Sequence, residues 1–291
     1  MNRAASLLSV AALALGVSAH AAWAIDISPG DYTVLPAGTN LALVYGQYVK
    51  SDRLDVDNVG KIPNSGLEAA YGIARYVHYS KIGNLPVVAE AILPFGGFDD
   101  VHIGGEGQPT KNGLGDLMIG LAAFPIHTSD PQYGTTIGET TYISMPTGAY
   151  DPAKVSFGNG TVIVTPQFGL IQGLGHGFLL DASADVALTM DHTEHGVRYS
   201  VAPSYQLQAL VRYMITPTST VSFGYSGHFG GKQEVDGVFN GLKTSSHQLR
   251  LFASRFVTPT FQVQGMVGAD VASEAGFRQG FTGQIRLLRV F

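Results

Sequence analysis

The sequence predicts an all-β protein: a transmembrane antiparallel β-barrel of about twelve strands, of the bacterial outer-membrane type. Three observations lead there. Apolar and polar side chains alternate with period two from Leu41 to the last residue, and helical periodicity is nearly absent. The alternating runs are about 10–14 residues long, more than the ~5–6 of soluble sheets and enough for a tilted bilayer crossing. Charged residues make up only 13% of the chain against 45% apolar, well under the ~25% usual in soluble domains. A run of strands with one greasy and one wet face needs lipid outside, and only closure of the sheet satisfies its edges.

Residues 1–24 read as a secretory signal peptide. Arg3 gives the positive start, Ala4 to Val17 the apolar run, and Ala22-Trp23-Ala24 the small-x-small cleavage pattern. The mature chain is then expected to begin near Ile25, with Ala19-His20-Ala21 as an earlier alternative. Residues 25–39 carry scattered apolar residues among Pro and Gly. They form either a plug folded into the lumen or a periplasmic tail leading to the first strand. The barrel itself takes residues 40–291.

Twelve strands are expected near 40–48, 66–80, 85–95, 114–125, 135–146, 161–171, 177–190, 200–214, 219–229, 244–257, 260–272 and 281–291. The seventh shows the pattern clearly. Phe178, Leu180, Ala182, Ala184, Val186, Leu188 and Met190 share one face, with Asp181, Ser183, Asp185, Thr189 and Asp191 opposite. The eighth sets Tyr205, Leu207, Val211 and Tyr213 against Ser204, Gln206, Gln208 and Arg212, and the ninth sets Val221, Phe223, Tyr225 and Phe229 against small or polar residues. Connections after even-numbered strands are mostly tight, as at Lys81–Asn84 and Thr258-Pro259, and most of those after odd-numbered strands are long. Short periplasmic turns and long outer loops are the outer-membrane arrangement, which places both termini in the periplasm. Pro94, Pro166 and Pro203 fall within these spans, and each implies a bulge, a kink or a strand end.

The final strand puts Phe281, Ile285, Leu287 and Phe291 outward, with Thr282, Gln284 and Arg286 inward. A terminal Phe on an alternating strand is similar to the signal read by the barrel-assembly machinery, so Phe291, Leu287 and Ile285 are its candidates. Arg289 departs from that pattern, and its long side chain can snorkel to the interface.

Three stretches resemble one family: Val34-Leu-Pro-Ala-Gly-Thr-Asn-Leu-Ala-Leu-Val-Tyr45, Asn112-Gly-Leu-Gly-Asp-Leu-Met-Ile-Gly120 and Ser144-Met-Pro-Thr-Gly-Ala-Tyr-Asp151. They are similar to the outer-membrane proteins of the meta-pathway of phenol degradation, distantly related to long-chain fatty-acid channels. The resemblance implies a Gram-negative outer-membrane channel for small hydrophobic, including aromatic, compounds. It supplies no catalytic residues.

Reading the alternation throughout, the pore-lining face collects Glu68, His78, Glu90, Asp116, Asp181, Asp185, Arg212, His228, Arg250, Asp270 and Arg286. Acids gather on strands two, three, four and seven, and arginines on eight, ten and twelve. These groups either set a transverse field across a narrow pore or pair to stiffen a filled lumen. The need of buried charges for partners favours pairing. Asp191-His-Thr-Glu-His195 reads as a solvated outer loop rather than a metal site, and Gly173–Gly177 as a turn. Ser226 and His228 lie about 7 Å apart on one strand face, too far for proton transfer.

No cofactor and no metal are expected, and the chain is read as no enzyme. A net charge of −5 without a basic run argues against nucleic acid. The expected partners are outer-membrane lipid, the assembly machinery and a small hydrophobic solute, with the barrel a monomer. A surface-interaction barrel with a filled lumen and no transport is the alternative.

Overall fold

A computed structural model of the chain describes residues 25–128, 130 and 132–291. The expected signal peptide, residues 1–24, lies outside them. One antiparallel sheet closes on itself, because the first strand, Asn40–Val56, pairs on one side with Gly66–Ile82 and on the other with Phe261–Val290. Between them the ring runs through Leu85–Ile103, Met118–His127, Thr135–Ser144, Ile163–Gly175, Phe178–Thr189, Ser204–Thr216, Ser219–Gly230 and Thr244–Thr258.

Phe261–Val290 is a continuous ribbon of 30 residues that makes two passes. Its first half pairs antiparallel with the tenth strand, Ser245 to Ala275 and Thr258 to Phe261. Its second half pairs antiparallel with the first, Asp55 to Gly276 and Leu41 to Val290. The first strand runs from the short-turn end to the long-loop end and the tenth runs back. The two halves must therefore point in opposite directions, and the chain reverses beside Gly276, whose φ of +90° only glycine adopts readily. That makes twelve passes. The loop expected at 273–280 is thus replaced by a sharp reversal.

The side chains are inside-out relative to a soluble protein. Val44, Leu121, Phe168, Leu207, Phe223, Leu251 and Ile285 stand exposed on the outer face, while Gln167, Gln206, Gln208, Gln248 and Gln264 are buried inside. This is the distribution that a lipid solvent selects. Glu139 departs from it on the outward face, where the Thr141 hydroxyl donates to it at 2.7 Å.

One end carries tight connections. His176-Gly177 both have positive φ, as a two-residue hairpin turn requires, and Gly83-Asn84, Pro217-Thr218 and Pro259-Thr260 are as short. The other end carries longer segments, and several strands run past their expected limits there. The first reaches Val56 rather than residue 48, and the third reaches Ile103 rather than residue 95. The ladders continue past those limits, so Ser51, Arg53–Asp55 and Asp100–His102 stay paired where their composition suggested loop, with Asp52 and Asp99 at bulges. The eighth strand begins at Ser204, after Pro203; Val197–Val201 joins instead a small four-stranded sheet with His192–Glu194, Gln233–Val235 and Val238–Phe239. Pro94 sits where the ladder between the third and fourth strands breaks, between the pairs Ile92–Met118 and Phe95–Leu114. Pro166 marks a similar gap, between Val164–Leu188 and Gln167–Asp185.

Candidate functional site

Residues 25–39 run inside the ring before they join the first strand. The stretch Ser28-Pro29-Gly30-Asp31 forms a tight turn, with the Asp31 amide donating to the Ser28 carbonyl at 3.1 Å. Gly30 has φ +88°, and an added Cβ would come within 2.9 Å of the Arg212 guanidinium, so the turn needs glycine for both conformation and space.

Barrel side chains hold this turn from all around. The Gly30 amide donates to Asp181 Oδ1 at 3.0 Å, and Arg212 pairs with the same carboxylate. Asp31 lies between Arg75 at 3.2 Å and Arg286 at 2.8 Å. Asp26 pairs with Arg250 at 2.9 Å and accepts from the Gln206 amide. The Ile27 amide donates to Gln208 Oε1 at 3.2 Å, and the Ile25 carbonyl accepts from Gln167 Nε2 at 2.8 Å.

Tyr32 anchors the far side. Its hydroxyl donates to Gln167 Oε1 at 3.0 Å, and its ring meets Phe124 edge-on with centroids 6.1 Å apart. The ring lies over Gly169 and against Gly138, which face each other across the fifth and sixth strands. A Cβ at Gly169 would fall within 2.3 Å of its carbons. Beneath, Leu41, Leu43, Val77, Tyr79, Val88 and Leu288 pack with Ile27 and Tyr32 into one apolar cluster.

The expected pore-lining residues are distributed as follows. Glu90, Asp181, Asp185, Arg212, His228, Arg250, Asp270 and Arg286 face the interior. Glu90 takes Arg75, Asp185 accepts from Gln167 Nε2 at 3.0 Å, and Asp270 accepts from the Gln279 amide at 2.7 Å. His228 lies 3.9 Å from Asp26. Asp116 is buried just before the fourth strand and fastens the loop above it, accepting from the amides of Gly148 and Asn159.

Glu68 and His78 require correction. Leu67, Ala69, Val77 and Tyr79 are the buried hydrophobic residues of that strand. Glu68 and His78 take the other parity, bonding Tyr48 and Lys50 at one end and Asn40 at the other. The expectation treated polar as inward, but the interior beside the second strand is largely apolar, which reverses the assignment. Arg75 is the inward charge there. Its partner Asp31, and Asp26, lie in a segment without alternation, so the sequence pattern could not mark them. Arg75, Arg250 and Arg286 are consequently paired with carboxylates of the N-terminal segment, while Arg212 pairs with Asp181 of the neighbouring strand.

The 191–195 loop has its own partners. Asp191 pairs with Arg198. His192 bonds the Tyr150 hydroxyl at 3.0 Å and stacks on Tyr199, and burial holds it below its ordinary pKa. Among the described residues no three His, Cys, Asp or Glu side chains gather as a metal site.

On the long-loop side of residues 25–28 lies a cavity of about 250 Å³, lined by side chains of several barrel strands and by Phe157 and Leu242 of the loops.

Comparisons with known proteins fit this architecture. The chain is similar to the crystal structure of an outer membrane channel from Pseudomonas putida F1, with 26% identity and a TM-score of 0.84 over 91% of this chain and all of that one. Weaker likenesses reach the CymD monoaromatic hydrocarbon channel, with 11% identity and TM-score 0.49 over 92% of this chain and 94% of that one. The KdgM porin matches with 7% identity and TM-score 0.47 over 86% and 99%. A search of curated proteins finds no match. Residues 51–287 match the family described as "Putative MetA-pathway of phenol degradation", and with well over half of its length inside that match the chain belongs to this family of outer-membrane β-barrels.

Proposed function

We propose that this protein is a passive outer-membrane channel for small hydrophobic, including aromatic, compounds, with residues 25–39 as a plug that closes its lumen. The observation that carries this reading is the layering of the interior. A largely apolar cavity lies over a charged and amide-rich constriction, and the constriction is completed by a segment that belongs to no strand. An apolar solute entering from the long loops meets a compatible chamber, and movement of one short segment would open the way below it. The 26% identical channel spans the same length of barrel, which supports the transport reading over a catalytic one.

The short turns are periplasmic in this reading, as are both termini, and the barrel acts as a monomer exported by its signal peptide. Reconstitution tests it. Liposomes containing the mature barrel should take up toluene or phenol faster than protein-free ones, with small, infrequent conductance steps in planar bilayers. The absence of both uptake and conductance would leave the surface-interaction reading, which the filled lumen favours.

Ile285, Leu287 and Phe291 stand on the outward face of the last pass, where we place the recognition by the assembly machinery. Phe291→Ser should lower the amount of folded barrel in the outer membrane several-fold. Refolding of the same purified variant from urea into detergent should be unchanged, because its side chain is 62% exposed on the outer surface, beside Tyr76. Equal loss in both assays would mark Phe291 as merely structural.

A further inference from the structure

We propose that the cavity above the plug is a binding site for a neutral molecule of one or two aromatic rings bearing a hydroxyl or carbonyl on one edge. This rests on the channel reading and adds to it a chemical class and the residues that select it.

The walls of the cavity differ. Ile73, Ile92, Phe98, Met118 and Phe157 present an apolar surface from the second to fourth strands and the loop above. Facing it, the first, tenth and twelfth strands contribute Ser51, Gln248, Gln279 and Thr282. Ser51 is only 3% exposed, lines the cavity, and its hydroxyl has no hydrogen-bond partner among the described residues. Buried hydroxyls are normally satisfied, and an orphan on a cavity wall marks a place for a ligand's polar atom. Gln279 beside it, paired with Ser51 across the strands, is held in place. Its Oε1 accepts from Gln248 Nε2 at 3.1 Å and from the Thr282 hydroxyl at 2.8 Å.

Size and charge narrow the ligand. Apolar cavities of ~150 Å³ accept benzene, so about 250 Å³ takes one substituted ring or two fused ones. At its margin Arg250 is paired with Asp26, Arg75 with Asp31 and Glu90, and Lys243 with Asp57, while Asp270 is held by the Gln279 backbone amide and Gln248 Nε2. An anionic ligand would lose its hydration without gaining a free cation, and a cationic one would have to displace the amides that hold Asp270. A flat neutral ring against the apolar wall, with its one polar group toward Ser51, satisfies both sides.

The test compares p-cresol, toluene and benzoate, three single-ring probes, by calorimetry on the purified mature barrel with protein-free micelles subtracted. A hydrogen bond contributes ~1 kcal/mol net, and two would give about a tenfold or greater preference for p-cresol over toluene. Benzoate should bind weakest. Ser51→Ala with Gln279→Met should bring p-cresol to the level of toluene and leave toluene unchanged, and Ser51→Ala alone should remove part of the preference. Heat-dependent gel migration verifies that each variant is folded. Equal binding of p-cresol and toluene, or parallel loss of both in the variants, overturns the site. Liposome uptake separates the two readings. Toluene permeation without p-cresol preference rejects the site and keeps the channel, whereas selective binding without permeation of either keeps the site and rejects the channel.

Discussion

Starting the mature chain at Val34 is expected to raise single-channel conductance several-fold and to shift the selectivity of the pore toward anions. The shortened chain keeps every ladder of the ring, including the closing pairs Leu41–Val290 and Val49–Thr282, so the barrel should still fold. What it loses is the turn that fills the middle of the lumen and, with it, two carboxylates. Arg75 keeps Glu90 and Arg212 keeps Asp181. Arg286 is left with the Gln262 amide, and Arg250 with Gln248 and Gln208, all neutral. Two guanidiniums that lose their carboxylate partners leave the pore less negative, and arginines lining a narrow pore attract anions. The reversal potential across a potassium chloride gradient should move toward that of chloride, and more strongly at low salt, where screening is weaker. The double variant Asp26→Asn, Asp31→Asn removes the same charges and retains the segment, so it separates selectivity from obstruction. It should loosen the turn chiefly through Asp31, 13% exposed between two arginines, since breaking a buried pair costs about 3–5 kcal/mol and the more exposed Asp26 contributes less. Conductance equal to that of the intact chain after truncation would show that residues 25–33 do not close the channel.

Much of the barrel was legible in the sequence because lipid imposes a strict rule on one face of every strand. Phe223, Leu207 and Ile285 have to be apolar, and their neighbours in sequence then point inward. The rule fails where its other half is relaxed. Beside the second strand the interior accepts Leu67, Ala69 and Ile73, so both faces of that strand look alike and Glu68 and His78 were given the wrong side. It is silent where the chain leaves the sheet. Asp26 and Asp31 complete three ion pairs with arginines of the second, tenth and twelfth strands, over separations in sequence of up to 255 residues. No local pattern encodes such a partner. The strand ends on the loop side were also misplaced, because Asp100 and His102 are polar, as a loop would be, while their backbones remain paired.

The two glycines under Tyr32 give the second large effect, and one that involves no charge. Gly138 and Gly169 face each other across the fifth and sixth strands with ordinary strand backbones, so they are needed for room rather than for conformation. The room is taken by the Tyr32 ring, an aromatic that buries roughly 150–250 Å² and whose truncation costs about 3–5 kcal/mol. Gly169→Val places branched carbon where the ring lies and should expel Tyr32 together with the turn it anchors, opening the channel almost as far as truncation does. Tyr32→Ala should give a partial leak, because Asp26 and Asp31 still hold the rest of the segment. Combining the two should be quieter than Gly169→Val alone, since the valine occupies the space the ring has left. That reversal is a coupling the two single variants do not predict by addition, and it distinguishes a fitted socket from general weakening of the barrel wall. A double variant as leaky as Gly169→Val, with heat-dependent gel migration intact in both, would mean that the valine disturbs the wall itself and that Tyr32 does not seat the plug.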